Sequence, residues 1–203
     1  MSKYRIYGDC RSGNCLKVRW TAEHLGVDYD WVDIDVAKGE TRTEEFLALN
    51  PSGQAPVLLL PDGRALSQSN AIIVYLASIH DGALVPTEAF ERAKVNEWLF
   101  WEQYSHEPYI AVRRWQKAFL KKSDDEIDPR LLANGRRALG QMSMQLGKTA
   151  YIAGERLTVA DIALVAYTRV AHEGGFDVDE FPNLRAWIGR VERDLDIPSR
   201  EAA

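Results

Sequence analysis

The N-terminal part of the chain, up to about Ile79, changes its hydrophobic period repeatedly, as a small α/β unit does. The first apolar run, "YRIYG", predicts a strand. The next stretch, from Asn14 to Leu25, has one apolar helical face and ends at Gly26, which predicts a helix closed by glycine. The residues on that face are Cys15, Val18, Ala22 and Leu25.

Further elements complete a predicted sheet. The run "DYDWVDIDV" alternates between apolar and polar side chains, which indicates a half-buried strand that reaches Val36. "TRTEEFLALN" predicts a short helix that Pro51 terminates, and "PVLLL" predicts a fully buried strand. "PDG" is a turn into the strand "RAL", and a last helix begins at Ser69. The predicted order is β-α-β-α-β-β-α, with mixed parallel and antiparallel pairing in one sheet.

The remainder of the chain is helical in pattern. Residues 80–87 form a predicted linker with no sustained period, and residues 88–203 predict an all-α domain of about five helices. Pro108 interrupts the first long amphipathic stretch and should kink it or end it locally. The fold class is therefore an α/β domain, residues 1–79, followed by an all-helical domain.

The segment "LTVADIALVAY" carries a helix-start signal. Thr158 precedes Asp161 by three positions, so that each side chain can accept the other's exposed backbone N–H, and Leu157 can pack on Ile162 as a hydrophobic staple. This motif predicts a structural role and not a catalytic one. Loss of the Thr158 cap should cost about 1 kcal/mol.

Composition and charge remove several classes of function. The 203 residues are 46% hydrophobic and 27% charged, without a membrane-length apolar run or the apolar core of a signal peptide, so we expect a soluble, cytoplasmic protein. A net charge of -5 argues against nucleic-acid binding, and the basic segment around Arg113 is interpreted mainly as a solvated helix face. Two cysteines and four scattered histidines predict no metal site.

Four short motifs in order make the chain resemble a family. "NPSGQAPVL" and "LSQSNAIIVYLA" in the first half, with "LTVADIAL" and "FPNLRAWI" in the second, are similar to the cytosolic glutathione transferases, in particular a bacterial, serine-type, theta-like member. The resemblance covers nearly the whole chain. It implies a thioredoxin-like glutathione-binding domain, an all-α domain that forms the electrophile pocket, and a role in detoxification with glutathione as co-substrate.

The resemblance also assigns glutathione-binding residues. Pro56 matches the family's cis-proline, which would let Val57 present its backbone N–H and C=O to the glutathione backbone. Gln54 would reach the glycyl end, and Gln68 with Ser69, at a helix N-terminus, would hold the γ-glutamyl carboxylate. Many bacterial relatives carry an acidic residue where Gln68 stands, so another group is expected to help pair the ligand's ammonium.

Ser12 matches the serine of the serine-using classes, which stabilises the glutathione thiolate. Its hydroxyl, at the start of the helix near Asn14, can donate a hydrogen bond to that sulfur. Cys10 remains an alternative as the nucleophile of a glutathione-dependent thiol-disulfide oxidoreductase or peroxidase, and Tyr7 is a weaker candidate. A redox pair with Cys15 has the spacing C-x4-C and not C-x-x-C, and Cys15 is predicted to lie in the core.

Two expectations concern the helical domain and assembly. The electrophile pocket would draw on the segment "WEQYSHEPYIAVRRW", with Tyr104, His106, Tyr109 and Arg113 as candidates. The resemblance implies a homodimer in which the first domain of one subunit packs on the helical domain of the other. Beside the transferase and the Cys10-dependent oxidoreductase or peroxidase, a non-catalytic partner-binding protein on the same fold is the third alternative for the function.

Overall fold

The computed structural model describes residues 3–80 and 83–199. The chain divides into two compact units, of which the first ends at Val85 and the second begins at Pro86. The predicted linker, residues 80–87, spans this division, although its residues 81 and 82 lie outside the described part, as do residues 1, 2 and 200–203 of the two predicted domains.

The first unit has the predicted element order. A four-stranded sheet has the order β2-β1-β3-β4, with β1 parallel to β2 and antiparallel to β3, and β3 antiparallel to β4. Helices α1 and α3 pack against each other and against the sheet. The thioredoxin-like fold class is thereby confirmed. The elements are β1 Tyr4–Gly8, α1 Gly13–His24, β2 Tyr29–Asp33, α2 Glu44–Leu49, β3 Val57–Leu59, β4 Ala65–Ser67 and α3 Ser69–Ile79.

The second strand is shorter than its alternating pattern predicts. β2 ends at Asp33, and Val36 is 39% exposed instead of buried on the sheet. The reason is a turn at Asp35, whose carboxylate accepts the backbone N–H groups of Ala37 and Lys38 at 3.0 and 3.2 Å. The local side-chain bonds offer the backbone a turn that the alternation does not reveal.

Within its described residues the second unit holds five α-helices, as predicted. They are α4 Ala89–Trp101, α5 Glu107–Arg114, α6 Pro129–Leu146, α7 Val159–Thr168 and α8 Pro182–Asp194. Pro108 does not break the first long stretch, because a π-helical turn, Glu102–His106, joins α4 to α5 directly before it. Proline would clash with the carbonyl of the fourth residue before it in a regular α-helix, and the wider turn accommodates the ring.

Helix α7 is the centre of the second unit, since every residue from Val159 to Thr168 is buried. The predicted capping box is present: Asp161 accepts from the Thr158 backbone N–H at 3.0 Å and from its hydroxyl at 2.9 Å. The other carboxylate oxygen accepts from the Ile152 N–H at 2.8 Å and the Trp187 indole at 2.9 Å. Burial raises the pKa of Asp161, and these four donors counteract it.

Candidate functional site

The junction between β1 and α1 places Ser12 at the helix N-terminus. Ser12 is the N-cap residue, with φ of -88° and ψ of 121°, and its carbonyl accepts from the N–H groups of Cys15 and Leu16 at 3.1 and 3.0 Å. Its own N–H donates to the Asp9 carbonyl at 3.0 Å. The side chain makes no capping hydrogen bond to the helix backbone. A partly exposed hydroxyl therefore lies at the positive end of α1 without serving as its cap.

An ion-pair cluster fixes the loop that carries Ser12. The carboxylate of Asp9, only 7% exposed, accepts from the Arg11 backbone N–H and guanidinium at 2.7 to 2.9 Å. The same guanidinium reaches Asp35, at 2.8 Å, beyond the end of β2. Burial raises the pKa of Asp9, but the bonds from Arg11 outweigh it and hold that pKa below its usual value. Hydrogen bonding to Arg11 lowers the pKa of Asp35 to about 2.

The two cysteines of the opening segment lie in opposite environments. Cys10 is exposed in the loop, and Cys15 is fully buried on α1, as predicted. Burial raises the pKa of the Cys15 thiol to about 11, although the Ser12 hydroxyl and the backbone at Asp9 lower it in part. Cys15 is therefore a protonated core residue at neutral pH.

The loop before β3 contains the predicted cis-proline, because the Ala55–Pro56 peptide bond is cis. Val57, however, lies inside the sheet, in register with Tyr7 on one side and Ser67 on the other. The N–H of Leu60 donates to the Arg64 carbonyl across β4, so the alternation of an antiparallel ladder turns the backbone groups of Val57 towards β1. Val57 therefore uses these groups within the sheet, which corrects its assignment to the ligand.

Gln54 and Gln68 both have exposed side chains, so that each could reach a ligand. The loop around Gln54 is held by Asn50, whose side-chain amide donates to the Gln54 carbonyl at 2.7 Å. Gln68 is the N-cap of α3, and its φ of 72° is a left-handed conformation that non-glycine residues seldom adopt. Such backbone outliers are concentrated at functional sites.

Ser69 links the two helix N-termini of the first unit. It is the first residue of α3, it is 6% exposed, and its hydroxyl donates to the Asn14 side-chain oxygen at 3.0 Å. Asn14 lies in the first turn of α1, two residues after Ser12. The structure therefore brings the predicted thiolate residue and the predicted γ-glutamyl residue to adjacent helix ends through Asn14, a residue that the sequence analysis did not single out.

The four candidates for the electrophile pocket do not share one environment. Tyr104 is 84% exposed, and Tyr109 is half-buried in α5. His106 is fully buried and donates from Nε2 to the Thr168 hydroxyl at 2.9 Å, since the hydrogen of that hydroxyl is engaged by a backbone carbonyl. Arg113, 3% exposed, donates to the Gly174 carbonyl at 2.8 Å and pairs with Asp124. His106 and Arg113 hold the helical unit together, which corrects their assignment to the pocket.

Within residues 3–80 and 83–199, no group of three or more histidine, cysteine or acidic side chains has an arrangement that could hold a metal ion. No helix in the same described part is long and apolar enough to cross a bilayer.

Comparison with known proteins identifies the family. Residues 11–79 match the glutathione S-transferase N-terminal domain, and residues 101–194 match the glutathione S-transferase C-terminal domain. The chain belongs to the glutathione S-transferase family. Among solved structures, this transferase-family chain is 47% identical to a glutathione S-transferase from Pseudomonas fluorescens Pf-5, with a TM-score of 0.89 over 94% of this chain and 95% of that one.

Two further structures extend the comparison of this glutathione S-transferase family member. A glutathione S-transferase from Xanthobacter autotrophicus Py2 is 39% identical, with a TM-score of 0.90 over 98% of this chain and 97% of that one. Ure2p in complex with glutathione is 24% identical, with a TM-score of 0.86 over 96% of this chain and 91% of that one, which shows a common fold.

Proposed function

We propose that the protein is a glutathione transferase that joins the glutathione thiolate to small electrophiles. The sulfur lone pair forms a new bond to the electrophilic carbon. In a substitution the bond from that carbon to the leaving group breaks, and the leaving group departs with the electron pair. In an addition the π bond of the electrophile breaks, and its electron pair takes up a proton. Ser12 donates its hydroxyl hydrogen to the thiolate. The enzyme contributes positioning and stabilisation of the anion to a reaction that glutathione undergoes intrinsically.

The geometry of Ser12 carries the proposal. The side chain of an N-cap serine ordinarily accepts a hydrogen bond from the helix backbone, and the Ser12 side chain does not. Its hydroxyl lies next to the buried Cys15 thiol and, together with the first N–H groups of α1, forms a donor set at the positive end of the helix dipole. A substrate thiol near pKa 8.5 is only about 3% ionised at pH 7, so such a donor set raises the fraction of reactive thiolate.

The glutathione backbone is expected to pair with Ala55 in place of Val57. Ala55 precedes the cis bond and lies outside β3. Continuing the β1–β3 register by two residues puts it opposite Asp9, where β1 has ended, so its N–H and C=O are turned towards the loop that carries Ser12. Gln54 and Pro56 keep their predicted places beside it. This arrangement would add glutathione as an extended segment next to β3.

The γ-glutamyl carboxylate is expected at the N-terminus of α3, bound by Gln68 and by the backbone N–H of Ser69, since the Ser69 hydroxyl donates to Asn14. The first N–H groups of a helix have no intrahelical acceptor and favour an anion. In the helical domain, Tyr104 and Tyr109 remain the candidates for electrophile contact. The serine-type, theta-like subtype, the cytoplasmic location and the role in detoxification belong to the same proposal.

The proposed assembly is a homodimer. On α4 and the π-helical turn after it, Phe100 is 76% exposed and Tyr104 is 84% exposed, whereas Trp98 is buried. Exposed aromatic side chains on neighbouring turns of one helix are typical of a surface that binds a partner. The interface would also bring a second chain near the thiol site.

A second candidate function follows from the exposure of Cys10. This thiol lies two residues before Ser12 in the same loop and is accessible to solvent. A glutathione-dependent oxidoreductase would use it in two steps. The Cys10 thiolate attacks the glutathione sulfur of a mixed disulfide between glutathione and a substrate, and the thiol of the substrate is released. A glutathione thiolate then attacks the Cys10–glutathione disulfide, which frees Cys10 and gives oxidised glutathione.

One experiment separates the two candidates. Wild type and Cys10→Ala are tested for capture on immobilised glutathione, and then for turnover of electrophiles, hydroperoxides and glutathionyl disulfides. The transferase proposal expects Cys10→Ala to conjugate electrophiles as wild type does. Loss of all activity in Cys10→Ala, together with a stoichiometric glutathione adduct on Cys10 of wild type by mass spectrometry, would favour the oxidoreductase over the transferase. Absence of glutathione binding by wild type would favour the non-catalytic alternative.

A further inference from the structure

A lysine is completely buried beside the predicted glutathione site. Lys17 lies on α1, one turn after Asn14, and its side chain has no solvent exposure. Lysine is among the residues least often found fully buried, because its ammonium group loses its hydration. A buried ammonium must therefore be held by polar groups of the protein, and one of the groups that bind Lys17 lies at the predicted glutathione site.

The Lys17 ammonium and the Ser69 hydroxyl bind the same oxygen. Lys17 Nζ donates to Asn14 Oδ1 at 2.7 Å, and Ser69 Oγ donates to that atom at 3.0 Å. Two donors require an acceptor between them, so the amide of Asn14 must present its oxygen and not its NH2 group. The ammonium therefore lies within about 6 Å of the Ser69 hydroxyl, a distance at which charges interact appreciably in a partly buried site.

We propose that Lys17 is a positioning residue for the γ-glutamyl carboxylate of glutathione: it fixes Asn14 against Ser69 and places a positive charge behind the N-terminus of α3. This inference rests on the proposed function. Lys17 does not touch the ligand itself, because Asn14 and Ser69 lie between its ammonium and the N-terminus of α3. Its charge adds to the helix dipole at the point where the carboxylate is expected.

The residues at the N-terminus of α3 supply no positive charge of their own to the carboxylate. The exposed N-cap position holds Gln68, which is neutral and brings no charge to the ligand. The Ser69 hydroxyl already directs its hydrogen to Asn14, so the carboxylate is left to the first-turn N–H groups of α3. A buried cation behind those groups strengthens an anion site without occupying it, and it stays in place when the ligand leaves.

The test is a thermodynamic cycle between one side chain and one ligand group. Lys17→Met removes the charge and keeps most of the stem, and the ligand is either glutathione or 4-aminobutanoyl-cysteinylglycine, which lacks only the γ-glutamyl carboxylate. Binding is measured by calorimetry. We expect Lys17→Met to weaken glutathione about 5- to 30-fold, the size of one charge interaction at roughly 8 Å, and to change the truncated ligand by less than about 2-fold.

Kinetics and control variants complete the test. KM for glutathione should rise in Lys17→Met while kcat and the pH of half-maximal thiolate formation stay unchanged, since the proposed action is on the carboxylate. Lys17→Arg keeps the charge and should preserve the preference for glutathione over the truncated ligand. Lys38→Met, at a lysine whose side chain is 77% exposed in the same unit, should leave both affinities unchanged.

Two results would overturn the inference while the transferase proposal stands. One is wild-type glutathione affinity in Lys17→Met, and the other is equal weakening of both ligands, which marks a purely structural lysine. If Lys17→Met does not fold, Asn14→Ala replaces it in the cycle and must weaken glutathione more than the truncated ligand. Failure of wild type to bind glutathione is a different outcome and would refute the proposed function itself.

Discussion

Replacing Ser12 with alanine tests the thiolate assignment with little structural side effect. Replacing an N-cap serine with alanine usually lowers the stability of a protein by about 1 kcal/mol, because the serine side chain caps the helix. The Ser12 side chain makes no such bond, and its carbonyl, which anchors the first turn, is unchanged by the substitution. We therefore expect Ser12→Ala to unfold within about 0.5 kcal/mol of wild type.

The effect on catalysis should be far larger than the effect on stability. Lowering a thiol pKa by two units requires about 2.7 kcal/mol. Loss of a critical donor of this kind costs roughly 2.7–4 kcal/mol, and the first-turn N–H groups with the helix dipole should retain about 1 kcal/mol of the stabilisation. The expected fall in kcat/KM at pH 7 is thus about 20- to 150-fold, and the thiol pKa should rise by about 1 to 2 units.

The assay is the pH dependence of kcat/KM with the first electrophile that turns over, together with glutathione affinity by calorimetry. Ser12→Thr returns a hydroxyl and should recover part of the loss, and Cys10→Ala, in the same loop, should behave as wild type. Unchanged turnover and an unchanged thiol pKa in Ser12→Ala would refute the assignment. A fall in glutathione affinity as large as the fall in kcat/KM would also contradict it, because the hydroxyl would then act on binding in general.

Three further predictions concern stability and assembly. Thr158→Ala should cost about 1 kcal/mol in urea unfolding, whereas Asp161→Asn, which sets an amide NH2 against a buried N–H donor, should cost about 3 kcal/mol; equal losses would contradict the capping geometry. Arg11 holds the pKa of Asp35 at about 2, below the unfolded value near 3.9, so this pair stabilises the fold above about pH 4 and the contribution disappears as pH falls towards 2. Melting temperatures of Arg11→Met should therefore depend less on acid than those of wild type, and parallel curves would disprove the role. Light scattering at micromolar concentration should give a mass near twice 23.0 kDa, and a fully active 23.0 kDa monomer would exclude the dimer.

Local patterns predicted the fold well where a single segment decides its own structure. The capping box at Thr158 and the helix from Ser69 follow from short-range chemistry, and both are present. The end of β2 was predicted incorrectly, because hydrophobic alternation continues to Val36 while Asp35 bonds to its own following backbone. An alternation of apolar and polar residues shows which side chains face the core. It does not show that a side chain such as Asp35 will accept hydrogen bonds from the following backbone N–H groups and so end the strand.

The candidate site could be predicted only as far as its residues are neighbours in the chain. The placement of Ser12 at the start of α1 needed only the strand and helix on either side of it. The contact between Asn14 and Ser69 joins residues 55 positions apart, and no pattern in either segment predicts it. The assignment of Val57 failed for the same reason, since the register between β1 and β3 decides which backbone groups remain available.

The two cysteines show how burial decides between chemistries that a sequence leaves open. A disulfide between Cys10 and Cys15 would require the Cys15 sulfur, which has no solvent exposure and a pKa raised to about 11, to become a thiolate or to be reached by one. Cys15 is also part of the first turns of α1, so exposing it would unwind the helix that presents Ser12. If Cys10 reacts, it must therefore react with a thiol or disulfide from outside the chain, and the resulting adduct would lie beside the Ser12 hydroxyl. Modification of Cys10 by glutathione should thus compete with conjugation, even though Cys10 takes no part in conjugation itself.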